Sequence, residues 1–332
     1  MNITYISKLI KRHYINYVIA VLLLSSVFIL PSAVNGAFKD IGWGARPAGM
    51  GNTFVAISND ANSSVFNPAG MTQLQKREAS FAYAKPYVGL ENVDLGLMYL
   101  TYVHPAGEAG AFSVAVTNFD GAGLYRENVY QLGYARRVYA DAGVKFSAGL
   151  NLKYLSHSYI WDQRTKDVAA QIGDRVVAAG DSKGAVSADI GLMASLPKHW
   201  TFGAAAKNIN QPDVGLAYED KVPSELTVGA AYKIPYYKGM DAITAALDVS
   251  QRNQDWGREN DKTNLHFGAE TWFGVHTYGV RAGWNKNEIS MGASMNRRLA
   301  ANLSFQIDYA FIWSLSISDN IGSHRLGMST RF

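Results

Sequence analysis

Near the end of the chain, the stretch "SLSISDNIGSH" gathers Ser316, Ser318, Asp319 and His324. These are the residue types of nucleophilic catalysis, which needs a hydroxyl and a base at hydrogen-bond distance and a third group to orient the base. The spacing specifies no such pair and matches no hydrolase motif, so the stretch reads as a loop entering the last strand. The other histidines are scattered, and none forms the i, i+4 pair that would present two imidazoles to a metal. Cysteine is absent, which removes disulfides and thiolate metal sites. No catalytic residue, metal site or cofactor is expected. The chemistry on offer is that of fixed charges, and its meaning depends on the elements that carry them.

Those elements are strands. Past residue 77, apolar and polar residues alternate with period two, the mark of a strand with two unlike faces. In "AANLSFQIDYAFIW", Leu303, Phe305, Ile307, Tyr309, Phe311 and Trp313 oppose Asn302, Ser304, Gln306, Asp308 and Ala310. In "ELTVGAAYKI", Leu226, Val228, Ala230, Tyr232 and Ile234 oppose Glu225, Thr227, Gly229, Ala231 and Lys233. The pattern recurs in segments near 78–88, 92–104, 109–119, 127–138, 143–156, 184–196, 200–208, 223–234, 240–251, 262–274, 277–286, 288–297, 299–313 and 321–332, about fourteen strands in all.

Three features favour a membrane barrel over a soluble sandwich. Many segments reach the length of a tilted membrane-crossing strand, longer than the five or six residues common in sandwiches. Connectors alternate between short ("PKH", "PYYKG", "VH") and long, the longest being His157–Lys183, as on the two rims of an outer-membrane barrel. Trp200, Tyr236, Tyr278, Trp284 and Trp313 fall near strand ends, where interfacial aromatic girdles sit. The fold class expected is all-β, a transmembrane antiparallel barrel, and the terminal Phe332 fits such barrels. With 48% hydrophobic residues, 31 Gly and 19 Tyr, the composition suits neither disorder nor a helical bundle.

The N-terminus reads as a secretory signal. Lys8, Lys11 and Arg12 form a basic region, Val18 to Leu30 an apolar one, and small residues around "AVNGAF" predict cleavage after Gly36 or Ala37. The formal charge of +4 owes much to those three cations; without them, 28 basic side chains face 27 acidic ones. Nucleic acid is therefore not an expected partner. The expected organisation is a signal peptide at 1–36, an N-terminal hatch or plug at 37–77 and the barrel at 78–332, in the bacterial outer membrane.

In a barrel the polar face lines a lumen. Parity turns Lys145, Lys153, Asp189, Glu225, Lys233, Asp248, Glu270, Arg281, Asp308, Arg325 and Arg331 inward, with His266 as a hydrogen-bonded wall residue. Mixed signs argue for paired charges rather than an ion-selective pore. A two-residue turn at Val275–His276 would set Glu270 opposite Arg281, and Asp308 is expected to pair with Arg325.

The block "GARPAGMGNTFVAISNDANSSVFNPAGM" resembles the N-terminal block of the PorV/PorQ family and, more distantly, FadL-type fatty-acid transporters. "DKVPSELTVGAAYKI", "ALDVSQ", "LHFGAETWFG", "VRAGW" and "HRLGMSTRF" resemble further PorV/PorQ blocks in the same order. The resemblance implies fourteen strands with the N-terminal segment inside, and an Asn-Pro-Ala element, here Asn67, Pro68 and Ala69, whose Asn contacts the wall. From the residues themselves, Asp60 is expected to cap a helical turn over Ala61–Phe66. Pro68 takes Asn67 out of the helical region, and Gly70 permits a reversal toward the first strand. Asp60, Asn67, Pro68, Ala69 and Gly70 are thus the candidate gate.

The task implied is non-enzymatic. As in PorV of type IX secretion, the partners would be secreted cargo and secretion components. The alternative is FadL-like passage of a hydrophobic small molecule, such as a fatty acid or hydrocarbon. A third role is that of a structural or adhesive barrel. Outer-membrane lipid is a partner in every case.

Overall fold

The structure, a computed structural model, describes residues 38, 42–89, 94–253, 263–317 and 321–332. The expected signal peptide lies outside these residues, as do Ser318 and Asp319. Fourteen strands follow one another round a closed ring: β1 (Glu78–Lys85), β2 (Leu95–Pro105), β3 (Ala111–Gly121), β4 (Tyr125–Asp141), β5 (Val144–Tyr159), β6 (Ser182–Ser195), β7 (Trp200–Lys207), β8 (Glu225–Ile234), β9 (Ala242–Arg252), β10 (Thr263–Phe273), β11 (Tyr278–Asn285), β12 (Glu288–Arg298), β13 (Ser304–Ser314) and β14 (Ser323–Arg331). All neighbours are antiparallel, and β1 closes on β14 from Glu78↔Arg331 to Lys85↔His324. Closure pairs each strand on both sides, which lipid demands because it offers the backbone no partner.

Period-two patterning sets the faces. Along β11, Tyr278, Val280, Ala282 and Trp284 are exposed while Gly279, Arg281, Gly283 and Asn285 are buried. The same parity holds along β13, where Gln306, Asp308 and Ala310 are buried. Expected boundaries shift at the ends. β4 runs on to Asp141 past a bulge between Arg137 and Tyr139, and β13 starts late because Leu299–Leu303 close a turn. The long β5–β6 connector holds two helices that period-two patterning does not anticipate, Gln163–Ile172 and Arg175–Ala179, capped by the carboxylates of Asp162 and Asp174. Lys145 and Lys233 keep inward parity but stand exposed at the rim, too near the strand ends to be covered.

The β10–β11 turn differs from the one expected. It spans 274–277, with Gly274, Val275 and His276 all at positive φ and the Thr277 N–H donating to Phe273 O. It is still centred on Val275 and His276, so Glu270 stands opposite Arg281. Residues 42–77 precede the ring and are bonded to its inward face at β2, β4, β5, β6, β9, β10, β12 and β14. This places them inside the ring. Short pieces, a helix at Ala45–Ala48, another at Ser63–Phe66 and a 3₁₀ turn at Pro68–Gln73, fold there around Met50, Phe54, Ile57 and Phe66, which pack on Tyr99 of β2.

Candidate functional site

Five buried charges join the internal segment to the wall. Arg46, from the first short helix, donates Nε and Nη2 to the two oxygens of Glu270 on β10, at 2.9 and 2.7 Å. Its Nη1 donates to Asp60 Oδ2 at 2.7 Å and to Asn59 Oδ1 at 2.7 Å. Its guanidinium lies 5.3 Å from the Phe54 ring centre. Arg281 on β11 donates to the same Glu270 at 3.1 Å and reaches Asp308 of β13 at 3.4 Å, with Ser294 bonded to both Arg281 and Asp308. Buried charges are tolerable only when each is neutralised and its remaining hydrogen-bonding capacity filled; here planar guanidinium forks supply both.

Two expected contacts differ. Asp308 does not pair with Arg325: the β13–β14 register sets Asp308 opposite Gly327 and Arg325 opposite Ala310, two residues out of step. Asp308 turns to Arg281 and Gln306 instead, and Arg325 donates to the Gly42 carbonyl. Asp60 is not a helix cap. The helix begins at Ser63 with Asn62 in the cap position, while Asp60 Oδ1 accepts the Asn62 backbone N–H and side-chain amide and Oδ2 is taken by Arg46.

Asn67 is wholly buried. Its backbone is extended (φ −152°, ψ 102°), and its Oδ1 accepts the Ala69 N–H at 3.1 Å. Its Nδ2 donates to Val55 O at 2.9 Å inside the segment and to Leu192 O of β6 at 3.0 Å. One amide therefore ties two parts of the segment to the wall. Pro68 opens the 3₁₀ turn, with Ala69 and Gly70 inside it. Gly70 makes no left-handed reversal; a Cβ there would lie 2.3 Å from Ser58 O, so glycine is needed for close approach.

Asp248 and His266 face inward as expected, and with Gln131 and Asn151 they find partners that the sequence did not name. Asp248 on β9 accepts the Phe54 and Val55 N–H groups at 2.8 and 2.9 Å. Gln131 and Asn151 donate to Ser64 O, and His266 donates Nδ1 to Gly51 O at 2.8 Å. Wall glycines stand opposite one another in pairs: Gly149 and Gly191, Gly203 and Gly229, Gly268 and Gly283. An added Cβ would lie 2.2 Å from Asn67 Oδ1 at Gly191, 2.2 Å from Val55 O at Gly203 and 2.0 Å from Gly51 N at Gly283. The segment's backbone therefore rests directly on the wall. Inward-facing glycines on neighbouring strands were the available signal for this.

On the long-loop side the β7–β8 connector folds inward. Val214 and Val222 are fully buried with Leu155, and His157 Nε2 donates to Val214 O at 2.6 Å. Asp213 Oδ1 accepts the Gly215 and Asp220 N–H groups. These backbone bonds, first the one from Asp220, hold its carboxyl below the usual carboxylate range, with Lys183 adding to the effect. Between the internal segment and the inner wall of β3–β7 lies a cavity of ≈ 70 Å³, lined by Phe38, Trp43, Phe119, Leu155 and Lys153 among others; on the short-turn side a larger one of ≈ 580 Å³ is lined by Met71, Leu74, Pro105 and Tyr139 among others. A cavity of about 150 Å³ is what holds a benzene. In the β13–β14 connector of the long-loop rim, Ser316 lies beside Ser314, whereas His324 shares outward parity with Leu326 and Met328 and meets the Tyr309 hydroxyl.

The fold is similar to that of solved outer-membrane channels. The monoaromatic hydrocarbon channel CymD matches with TM-score 0.57 at 12% identity, covering 89% of this chain and 98% of its own. The Ralstonia pickettii toluene transporter TbuX gives 0.56 at 12%, covering 89% and 99%, and a Pseudomonas aeruginosa FadL homologue 0.51 at 13%, covering 92% and 99%. At such identities the likeness speaks for the fold alone. No curated protein matches the sequence. The type IX secretion resemblance is met by a family model, that of PorP/SprF rather than PorV/PorQ. It matches residues 59–329, which take in the Asn67 turn and all but the last strand residues. This outer-membrane barrel therefore belongs to the PorP/SprF family of type IX secretion system membrane proteins.

Proposed function

We propose that this barrel handles secreted cargo at the outer membrane, a PorV-type task, with residues 42–77 as a fixed hatch and Asn67 as its latch. The observation that carries this reading is the internal segment bonded to the wall. Arg46, Asn67, Asp248 and the glycine pairs hold the segment from several strands, and on its long-loop side the cavity of ≈ 70 Å³ is smaller than the about 150 Å³ that holds a benzene, although one of ≈ 580 Å³ lies on its short-turn side. A barrel whose internal segment is so fixed is suited to presenting its loops and rims to partners. Family membership supports the same reading, since the matched description is that of a type IX secretion membrane protein.

Passage of a hydrophobic small molecule is the second reading. It is favoured by the apolar rings of Phe38, Trp43 and Phe119 around the cavity, and it requires the hatch or the β7–β8 loop to move. Deleting the gene tests both. On the first reading, surface cargo is lost and cargo co-purifies with the tagged barrel, while liposomes bearing the barrel take up no more toluene or fatty acid than empty ones. Unchanged surface cargo together with barrel-dependent uptake would reverse the assignment.

A further inference from the structure

The two rims differ sharply in charge. In the longest loop of the long-loop rim the signs balance: between residues 160 and 183, Asp162, Asp167, Asp174 and Asp181 face Arg164, Lys166, Arg175 and Lys183, while the β7–β8 loop sets Asp213, Glu219 and Asp220 against Lys221. On the short-turn rim, which faces the periplasm in barrels of this build, exposed cations recur right round the ring. Lys76 precedes β1, Arg136 lies near the end of β4, Lys198 is in the β6–β7 turn, Lys238 in the β8–β9 turn, and Arg297 and Arg298 end β12. None of these six forms an ion pair among the described residues. The acidic side chains described at the surface of this rim are Glu108 and Asp141, with Asp241 half-exposed and accepting the His276 N–H.

The position of these cations says what they meet. Arg136 continues the outward stripe of Tyr130, Leu132 and Tyr134 on β4, and Arg297 that of Ile289, Met291 and Met295 on β12. Each stripe is the lipid-facing one, so its last residue stands at headgroup level. Exposed aromatics lie at the same height: Tyr134, Trp200, Tyr236 and Tyr278, with Lys238 Nζ 5.2 Å from the Tyr237 ring centre. An aromatic girdle edged with cations fits the boundary between acyl chains and anionic headgroups. A protein partner docking on one side of the mouth would not call for charge around the whole circumference.

We propose that the periplasmic rim is a belt that binds anionic phospholipid headgroups and seats the barrel in that leaflet. Wild-type full-length protein would be reconstituted in nanodiscs of phosphatidylethanolamine alone, or of phosphatidylethanolamine with phosphatidylglycerol or cardiolipin. Retained lipid would be measured by mass spectrometry and barrel melting by heat-modified gel mobility. Anionic lipid is expected to be enriched around the barrel and to raise its melting temperature, with both effects fading in high salt. Lys76→Gln, Arg136→Gln, Lys198→Gln, Lys238→Gln, Arg297→Gln and Arg298→Gln, made singly and together, should weaken retention by roughly fivefold per charge. Arg164→Gln, Lys166→Gln and Arg175→Gln on the other rim should not. Equal retention of neutral and anionic lipid by the wild-type protein would overturn the proposal even if the multiple variant did not fold. So would rim variants that bind lipid normally but lose an acidic protein partner.

Discussion

Arg46 and Glu270, 224 positions apart in the chain, meet through two parallel hydrogen bonds of 2.9 and 2.7 Å inside the ring. Fork-to-carboxylate geometry of this kind combines charge with direction. It links the short helix at Ala45–Ala48 to a wall carboxylate whose other partner is Arg281.

Removing either member leaves the other charged and buried. Arg46→Met or Glu270→Gln should therefore destabilise the barrel by about 3–5 kcal/mol, seen as a lower temperature for the folded-to-unfolded gel shift. The double variant should lose less than the sum of the singles, with a coupling of about 0.5–3 kcal/mol. Strict additivity would mean that the two side chains do not interact energetically.

Asn67→Ala deletes the two hydrogen bonds that the amide donates to Val55 O and Leu192 O. A loss of about 1–3 kcal/mol is expected, with faster proteolysis within residues 42–77 under conditions where the strands stay protected. If assembly, protease protection and cargo display all match wild type, Asn67 is a turn residue and not a latch.

Gly191→Ala and Gly283→Ala place a methyl group 2.2 Å from Asn67 Oδ1 and 2.0 Å from Gly51 N. Both should loosen the segment and raise conductance in planar bilayers by opening part of the lumen. Gly96→Ala on β2 is the control, since its nearest neighbour would be 3.9 Å away; it should be neutral. Closed, fully stable barrels from both test variants would show that the wall yields more readily than the close contacts imply.

The β7–β8 loop should respond to acid. Asp213 has a lowered value in the folded loop, so its contribution is fully present above the ordinary carboxylate value and is lost as pH falls through the lowered one. Hydrogen exchange at Gly215 and Asp220 should accelerate in that acidic window, and Asp213→Asn should show the faster exchange already at neutral pH. Exchange in the variant equal to wild type at neutral pH would remove Asp213 as the loop's anchor.

The number of strands, their faces and the lumenal charges were legible in the sequence because a membrane strand is read locally: two environments imposed on one chain leave a period of two. Glu270 opposite Arg281 followed from that period and the centre of one turn, and survived a turn of different length. The partners of those charges inside the ring were not legible. Arg46 lies in a glycine-rich run with no periodicity, and its approach to Glu270 depends on how residues 42–77 coil within a closed wall. Asp308 went to Arg281 rather than Arg325 because the β13–β14 register is offset by two residues, and register between strands is settled only when all fourteen close together. Glycine in the wall looked like lost packing in one dimension. Only the tertiary structure, by laying a backbone against Gly149 and Gly191, gave those missing side chains a physical reason.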